Sequence, residues 1–126
     1  MSTILVVEQN PSLGAIIMEA LRGKYQVSVK TDPATTFTYL FQGNLPDLII
    51  LDYNRDQIEI QELLFELQQN RFFKHIPLVL LGNDPLLSNG RGGSPSSGHH
   101  LIGKPFNPEK ILAYTDKILR RTEHLP

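Results

Sequence analysis

Residues 45–56, LPDLIILDYNRD, decide how the rest of the chain is read. Pro46 and Asp47 lead into four unbroken apolar residues, Leu48 to Leu51, and an acid, Asp52, stands where the run ends. A short apolar run bounded by turn formers reads as a strand buried on both faces, as in the interior of a parallel sheet. In open α/β sheets the functional crevice lies beyond the carboxyl ends of such strands, and that is where Asp52 falls. Asp52 is therefore the first candidate for the chemical centre.

Working outward, the same device occurs at the start of the chain: Thr3 to Glu8 (TILVVE) is a second buried strand with an acid at its end. Asn10-Pro11 then predicts a helix start, with Asn10 as cap and Pro11 in the first turn, where its missing N–H is harmless. Leu13, Ile16, Ile17, Ala20 and Leu21 recur at helical spacing, and Gly23 supplies a stop. Tyr25 to Lys30 alternates apolar and polar residues, the pattern of a half-exposed strand at a sheet edge. Asp32-Pro33 repeats the cap-and-proline device for a helix through Phe37, Leu40 and Phe41, closed by Gly43.

Downstream of Asp52, a loop to Gln57 leads into a third helix with Ile60, Leu63, Leu64 and Leu67 on its apolar face. Ile76 to Leu81 is a fourth strand that ends at Gly82. The segment from Asn83 to His100 breaks the rhythm, because it holds Gly90, Gly92, Gly93 and Gly98 together with Pro85 and Pro95. Each glycine costs a helix about 1 kcal/mol relative to alanine and an interior proline about 3, so a short turn or a loop is expected here instead of a full helix. Leu101 to Gly103 reads as a short last strand. Asn107-Pro108-Glu109 caps a final helix with Ile111, Tyr114 or Thr115, and Ile118 on one face. Strands alternating with helices in this way predict right-handed crossovers, a parallel sheet and helices on both faces, in one domain over residues 1–126.

Composition sets the outer bounds. A chain of 126 residues with 40% hydrophobic and 20% charged residues suits one ordinary globular domain. A net charge of −1 leaves no electrostatic footprint for nucleic acid, and Lys117, Arg120 and Arg121 fit the last turn of a helix. The absence of cysteine excludes disulfides and thiolate chemistry. No apolar run is long enough for a membrane span, and a soluble cytoplasmic domain is expected. His99-His100 is not a metal pair, since neighbours on a strand point to opposite faces and no third ligand accompanies them. Phe37, Phe41, Phe72 and Phe73 read as core. The glycine-rich run lacks the lysine-serine or lysine-threonine signature of a phosphate loop.

With ILVV running into Glu8-Gln9, PDLIILD ending in Asp52, and Lys104-Pro105-Phe106 after the last strand, the chain resembles the receiver domain of bacterial two-component response regulators over essentially its whole length. The resemblance implies the flavodoxin-like strand order 2-1-3-4-5, with Asp52 as the residue phosphorylated and Lys104 as partner of the phosphoryl group. It implies Mg²⁺ held by Glu8, Gln9, Asp52 and the backbone carbonyl of Asn54. The partners it implies are a sensor histidine kinase or phosphotransfer protein and an output domain or partner protein, with no direct role for nucleic acid or membrane. The family also allows a homodimer through the final strand and helix. Chemistry would be limited to self-catalysed phosphorylation and dephosphorylation of Asp52, without a separate enzymatic activity.

Four departures accompany the matches. Receivers carry two acids at the positions of Glu8 and Gln9, and here the second is a neutral amide, which implies weak Mg²⁺ binding. Gly82 stands where the family has a serine or threonine, Leu101 where it has an aromatic residue that rotates inward, and the glycine-rich segment where it has its fourth helix. Two function classes therefore stand side by side: a phosphoacceptor acting in a phosphorelay, and a pseudo-receiver that serves as an interaction or dimerisation module without phosphorylation. An aspartate-nucleophile phosphatase would want an acid at position 54, which is Asn54.

Overall fold

The computed structural model describes residues 1–82, 99–103 and 107–123. The chain runs β1 (Thr3–Val7), α1 (Pro11–Leu21), β2 (Gln26–Lys30), α2 (Pro33–Phe41), β3 (Leu48–Asp52), α3 (Ile58–Gln69), β4 (Leu78–Leu81), β5 (His99–Ile102) and a final helix α4 (Pro108–Glu123). The strands form one parallel sheet in the order β2-β1-β3-β4-β5. This is the expected doubly wound, flavodoxin-like arrangement, with the stretch from Leu48 to Asp52 at its centre. The expectation of a loop or a single turn in place of a helix over residues 83–100 lies outside the described residues for 83–98, and His99 and His100 belong to β5.

The continuous apolar runs are explained by the two faces of the sheet. Ile4, Val6, Leu48, Ile50, Val79 and Leu81 point to one side, where Ile17 and Leu21 of α1 and Ile111, Ile118 and Leu119 of α4 meet them. Leu5, Val7, Ile49, Leu51, Leu78 and Leu80 point to the other, against Leu40 of α2 and Ile60, Leu63, Leu64 and Leu67 of α3. A strand buried on both faces cannot alternate apolar with polar residues, because side chains of either parity enter a core. Register is pinned at the entry to β3, where Asp47 Oδ2 accepts from the Thr3 N–H at 2.8 Å and the Asp47 N–H donates to the Thr3 carbonyl at 2.8 Å.

The helix starts form as their sequences predict. Asn10 Oδ1 accepts from the N–H groups of Ser12 and Leu13 at 2.9 and 3.2 Å, Asp32 Oδ1 from Thr35 at 2.8 Å, and Asn107 Oδ1 from Glu109 at 2.8 Å. Each cap satisfies donors that the first helical turn leaves open. Gly43 ends α2 with a φ of +96°, a conformation that favours glycine. Gly23 has no such role, since α1 closes on Arg22 in ordinary helical geometry.

Several sequence expectations need correction. Ile16 is 46% exposed, because it lies about 100° around the helix from Ile17, and the inward face is Gly14, Ile17 and Leu21. Phe41 and Phe72 are not core; they are 62% and 61% exposed, while Leu40 and Phe73 take the inward positions. On α4 the alternative left open resolves to Thr115, which is fully buried, while Tyr114 is partly buried against the core. β5 begins at His99, earlier than Leu101, and β1 ends at Val7, one residue before the acid. The edge position of β2 is as expected, with Tyr25, Val27 and Val29 on one core. On the opposite side Ser28 Oγ lies 3.1 Å from the Tyr39 hydroxyl, and Lys30 Nζ sits 4.8 Å from the Tyr39 ring centre.

One polar contact ties the β2 edge to α4. Asp116 accepts from the Tyr25 hydroxyl and, at 3.0 Å, from Lys24 Nζ. Burial opposes the charge on Asp116, but the hydrogen bonds from Tyr25 and Lys24, with the Lys24 and Arg120 charges, outweigh it and hold the carboxyl below its ordinary value of 3.8. A depressed folded-state value means that this contribution is fully present above the unfolded value, near pH 4, and is lost as the pH falls through the folded value below it. Asp116→Ala should therefore cost about 0.5–1.5 kcal/mol at neutral pH, since it removes the hydrogen bond from the Tyr25 hydroxyl. The gap between variant and parent in urea unfolding should narrow below about pH 4; an equal gap at pH 7 and pH 3 would rule out the carboxylate as its source.

Candidate functional site

The site lies at the carboxyl end of the sheet, where β1 and β3 stop. Val7 pairs with Leu51, so the next residues, Glu8 and Asp52, stand side by side on strands spaced about 4.8 Å apart. Glu8 is held in place by its backbone, whose N–H donates to the Lys30 carbonyl at 3.0 Å, and its side chain is buried, 1% exposed. Its Oε2 accepts from the Asn10 N–H at 3.2 Å. Gly14 opens the space beside it: a Cβ there would lie 3.8 Å from Glu8 Cβ and Cγ and 3.1 Å from Val29 Cγ1. Asp52 is half-buried at the last position of β3, opposite Leu81.

The loop after Asp52 brings in Asn54 and Gln57. The Asn54 carbonyl accepts from the Gln57 N–H at 3.1 Å, and Asn54 Oδ1 accepts from the Asp56 N–H at 2.9 Å, a tight turn that launches α3. Gln57 occupies the cap position of α3 yet makes no side-chain cap bond. Its Nε2 donates instead to Gln9 Oε1 at 2.9 Å, across the mouth of the site from the β1–α1 loop to the β3–α3 loop. Gln57 is the residue that sequence reading missed. A cap position filled by glutamine, with no serine, threonine, aspartate or asparagine, was the available signal.

Gly82 closes the β4 side. Its N–H donates to the Ile102 carbonyl at 3.0 Å, and the Tyr53 N–H donates to the Leu81 carbonyl at 2.9 Å. A Cβ on Gly82 would stand 2.7 Å from the Tyr53 carbonyl oxygen, closer than real Cβ atoms come to backbone. The glycine is thus a condition of how tightly the ends of β3 and β4 approach one another. Leu101 is partly buried against the core on the α2–α3 side of the sheet. The structure brings Glu8, Gln9, Asp52, Asn54 and Gly82 to one end of the sheet; Lys104 lies outside the described residues, as do Pro105 and Phe106.

The donors at this end are all oxygens, the type a hard cation such as Mg²⁺ takes. The set contains two carboxylates, Glu8 and Asp52. The amide oxygen of Gln9 already accepts from Gln57. Among the described residues no three histidine, cysteine, aspartate or glutamate side chains group closely enough to hold a metal ion. The residues fit a cation bound through few ligands and retaining several waters, a habit of Mg²⁺.

No protein-family model matches the sequence. In sequence the chain is 31% identical over 124 residues to a histidine kinase of Formosa agariphila, a match that covers 98% of this chain and 9% of that protein. It is 24% identical over 123 residues to a response regulator of Synechocystis sp., covering 96% of this chain and 53% of the other. The chain thus spans from about a tenth to about half of these relatives. In structure it is similar to the signal receiver domain of a signal transduction histidine kinase from Syntrophus aciditrophicus, with a TM-score of 0.78 and 23% identity over 100% of this chain and 96% of that one. It is likewise similar to a chemotaxis response regulator of Vibrio cholerae, with a TM-score of 0.76 and 22% identity over 94% and 98% of the two chains. In fold, strand order and sequence likeness along nearly the whole length, this chain is similar to response regulators and to the receiver domain of a histidine kinase.

Proposed function

We propose that this domain accepts a phosphoryl group on Asp52 from a histidine kinase or phosphotransfer protein and passes the change to an output domain or partner protein. The observation that carries this reading is the placement of Asp52 at the open end of the central strand, beside the buried Glu8. A carboxylate oxygen of Asp52 attacks phosphorus in line. The bond from phosphorus to the donor, a phosphohistidine nitrogen or the acyl oxygen of a small donor, breaks as the new bond forms, and its electron pair leaves with the donor. Catalysis of such a transfer is mostly positioning and charge balance.

Glu8, Gln9, Asp52 and the Asn54 carbonyl would hold Mg²⁺, which supplies positive charge against the phosphoryl oxygens. Lys104, as the receiver resemblance implies, is the second positive partner. Half-burial of Asp52 leaves the carboxylate open to a docking donor, while the β3 ladder fixes its backbone. Among the described residues no helix is long and apolar enough to cross a membrane; the relatives similar to this stretch are histidine kinases and response regulators, which supports a phosphorelay role.

With Mg²⁺ and acetyl phosphate, the chain should gain one acid-stable, base-labile phosphoryl group, seen by intact mass. Asp52→Asn should abolish it. A persisting adduct on the variant would move the acceptor elsewhere, and no adduct on the parent with any small donor would remove the reading.

A second reading has its own support. Gly82 leaves no room for the hydroxyl that receivers use at that position, and the Gln9–Gln57 bond already ties together the two loops around the site. On this reading the domain is a pseudo-receiver that binds its partner in one fixed state. Beryllofluoride with Mg²⁺ separates the two. Shifts in NMR that reach β5 and α4 support a switch, whereas no binding supports the fixed module.

A further inference from the structure

The hydrogen bond between Gln57 and Gln9 is placed where it can govern the cation. Gln57 stands at the cap position of α3 with extended backbone (φ −107°, ψ 109°), and its side chain makes no cap bond. Its Nε2 reaches instead to Gln9 Oε1 at 2.9 Å, joining residues 48 positions apart. The backbone N–H of the same residue donates to the Asn54 carbonyl at 3.1 Å. One residue therefore donates to two of the oxygens assigned above to Mg²⁺, Gln9 Oε1 and the Asn54 carbonyl.

These two bonds differ in how firmly they are held. The bond to Asn54 belongs to the turn that launches α3, and Gln57 accepts in turn from the Gln61 N–H at 3.1 Å, so backbone fixes it. The bond to Gln9 rests on two flexible, uncharged side chains, with Gln9 exposed and Gln57 half-buried. A neutral hydrogen bond open to water contributes little net, because water can replace either partner. A divalent cation seeking the same oxygen meets the positive end of the Gln57 amide already there, and charges of like sign in contact oppose one another. Mg²⁺ also demands near-ideal octahedral geometry from its ligands, which a Gln9 side chain tethered to the opposite loop is not free to supply.

We propose that Gln57 is a latch on the cation site: without metal it holds Gln9 Oε1 against the β3–α3 loop, and Mg²⁺ must release it to bind. Cation affinity is then set in part by Gln57, and occupancy of the site is felt at the start of α3. The inference rests on the reading of these oxygens as a Mg²⁺ site, and it does not require phosphorylation of Asp52.

The test is a Mg²⁺ titration of the full chain by NMR, reading backbone amides and the side-chain amides of Gln9 and Gln57, on the parent, Gln57→Met and Gln57→Asn. Methionine keeps the length without an N–H donor, and asparagine keeps the donor one methylene short of Gln9. Both variants should bind Mg²⁺ about two- to fivefold more tightly than the parent, the worth of one solvent-exposed neutral hydrogen bond. In the parent, the Gln57 side-chain amide should move to the position of a water-exposed amide as the cation saturates, and the backbone amides of Ile58 and Glu59 should move with it. A purely structural tie would stay closed. Equal or weaker binding by the variants overturns the latch, as does a Gln57 side-chain amide unmoved at saturation, or an absence of Mg²⁺ binding by all three proteins. Acetyl phosphate separates the latch from the phosphoacceptor reading: a chain that releases Gln57 on Mg²⁺ binding yet gains no phosphoryl group keeps the first and loses the second.

Discussion

Placing an acid back at position 9, as Gln9→Asp, is expected to tighten Mg²⁺ binding by roughly tenfold to a thousandfold. Two opposite unit charges about 4 Å apart are worth on the order of 4 kcal/mol at an effective dielectric near 20, before desolvation is subtracted. At about 1.4 kcal/mol per decade, that sets the upper end of the range. Gln9 is exposed, so water screens part of the gain and the lower half of the range is the better expectation. The substitution also removes the amide oxygen that accepts from Gln57, which frees the β3–α3 loop to adjust around the ion. A Mg²⁺ titration followed through the amide resonances of Glu8, Asp52 and Tyr53 reads the affinity directly. Equal affinities for parent and variant would mean that position 9 does not face the cation.

The second large effect is expected at Gly82, and its sign is opposite to what family resemblance alone suggests. Threonine there would bring back the hydroxyl typical of receivers, yet its Cβ would meet the Tyr53 carbonyl oxygen at 2.7 Å. Neither side can retreat freely, because Tyr53 and Gly82 both donate into the ladder, to Leu81 and Ile102. Overpacking of this kind costs about 1–3 kcal/mol, or roughly 5–15 °C in Tm for a domain of this size. Gly82→Ala separates the clash from the hydroxyl. Gly82 does not have a positive φ, so without the contact alanine would raise stability by about 0.4–1 kcal/mol through the unfolded chain. Thermal unfolding of both variants decides the matter, and a Gly82→Ala protein as stable as the parent would show that the close approach is not a constraint.

These two residues mark different relations between resemblance and structure. At Gln9 the departure is chemical: a charge is missing, and the side-chain amide accepts a hydrogen bond from Gln57 in its place. At Gly82 the departure is geometric, because the backbone of β3 and β4 has closed over the space a side chain would need. A substitution toward the family pattern should therefore succeed at the first position and fail at the second.

The fold was legible because each strand and helix announces itself locally. Four-residue apolar runs with turn formers at their ends can hardly be anything but strands in a doubly covered sheet, and Asn10-Pro11, Asp32-Pro33 and Asn107-Pro108 start helices by satisfying their own first-turn donors. The helix faces were less legible where two apolar residues adjoin. In Ile16-Ile17, Leu40-Phe41 and Phe72-Phe73 one member points inward and the other outward, and only the packing of the helix or turn on the sheet selects which.

For the site, the sequence by itself determined that an acid ends β3 and another directly follows β1, because an apolar run that stops at an acid puts that acid at the end of the strand or just beyond it. It also determined that position 9 carries no charge and position 82 no side chain. What only the tertiary structure decided is how these residues meet. The β1–β3 register sets Glu8 beside Asp52, the turn at Asn54 carries Gln57 across to Gln9, and the approach of β3 to β4 leaves room at position 82 for a hydrogen atom alone. Those relations connect residues as far as 48 positions apart in the chain, and they are fixed by sheet register and close packing, which no local pattern encodes.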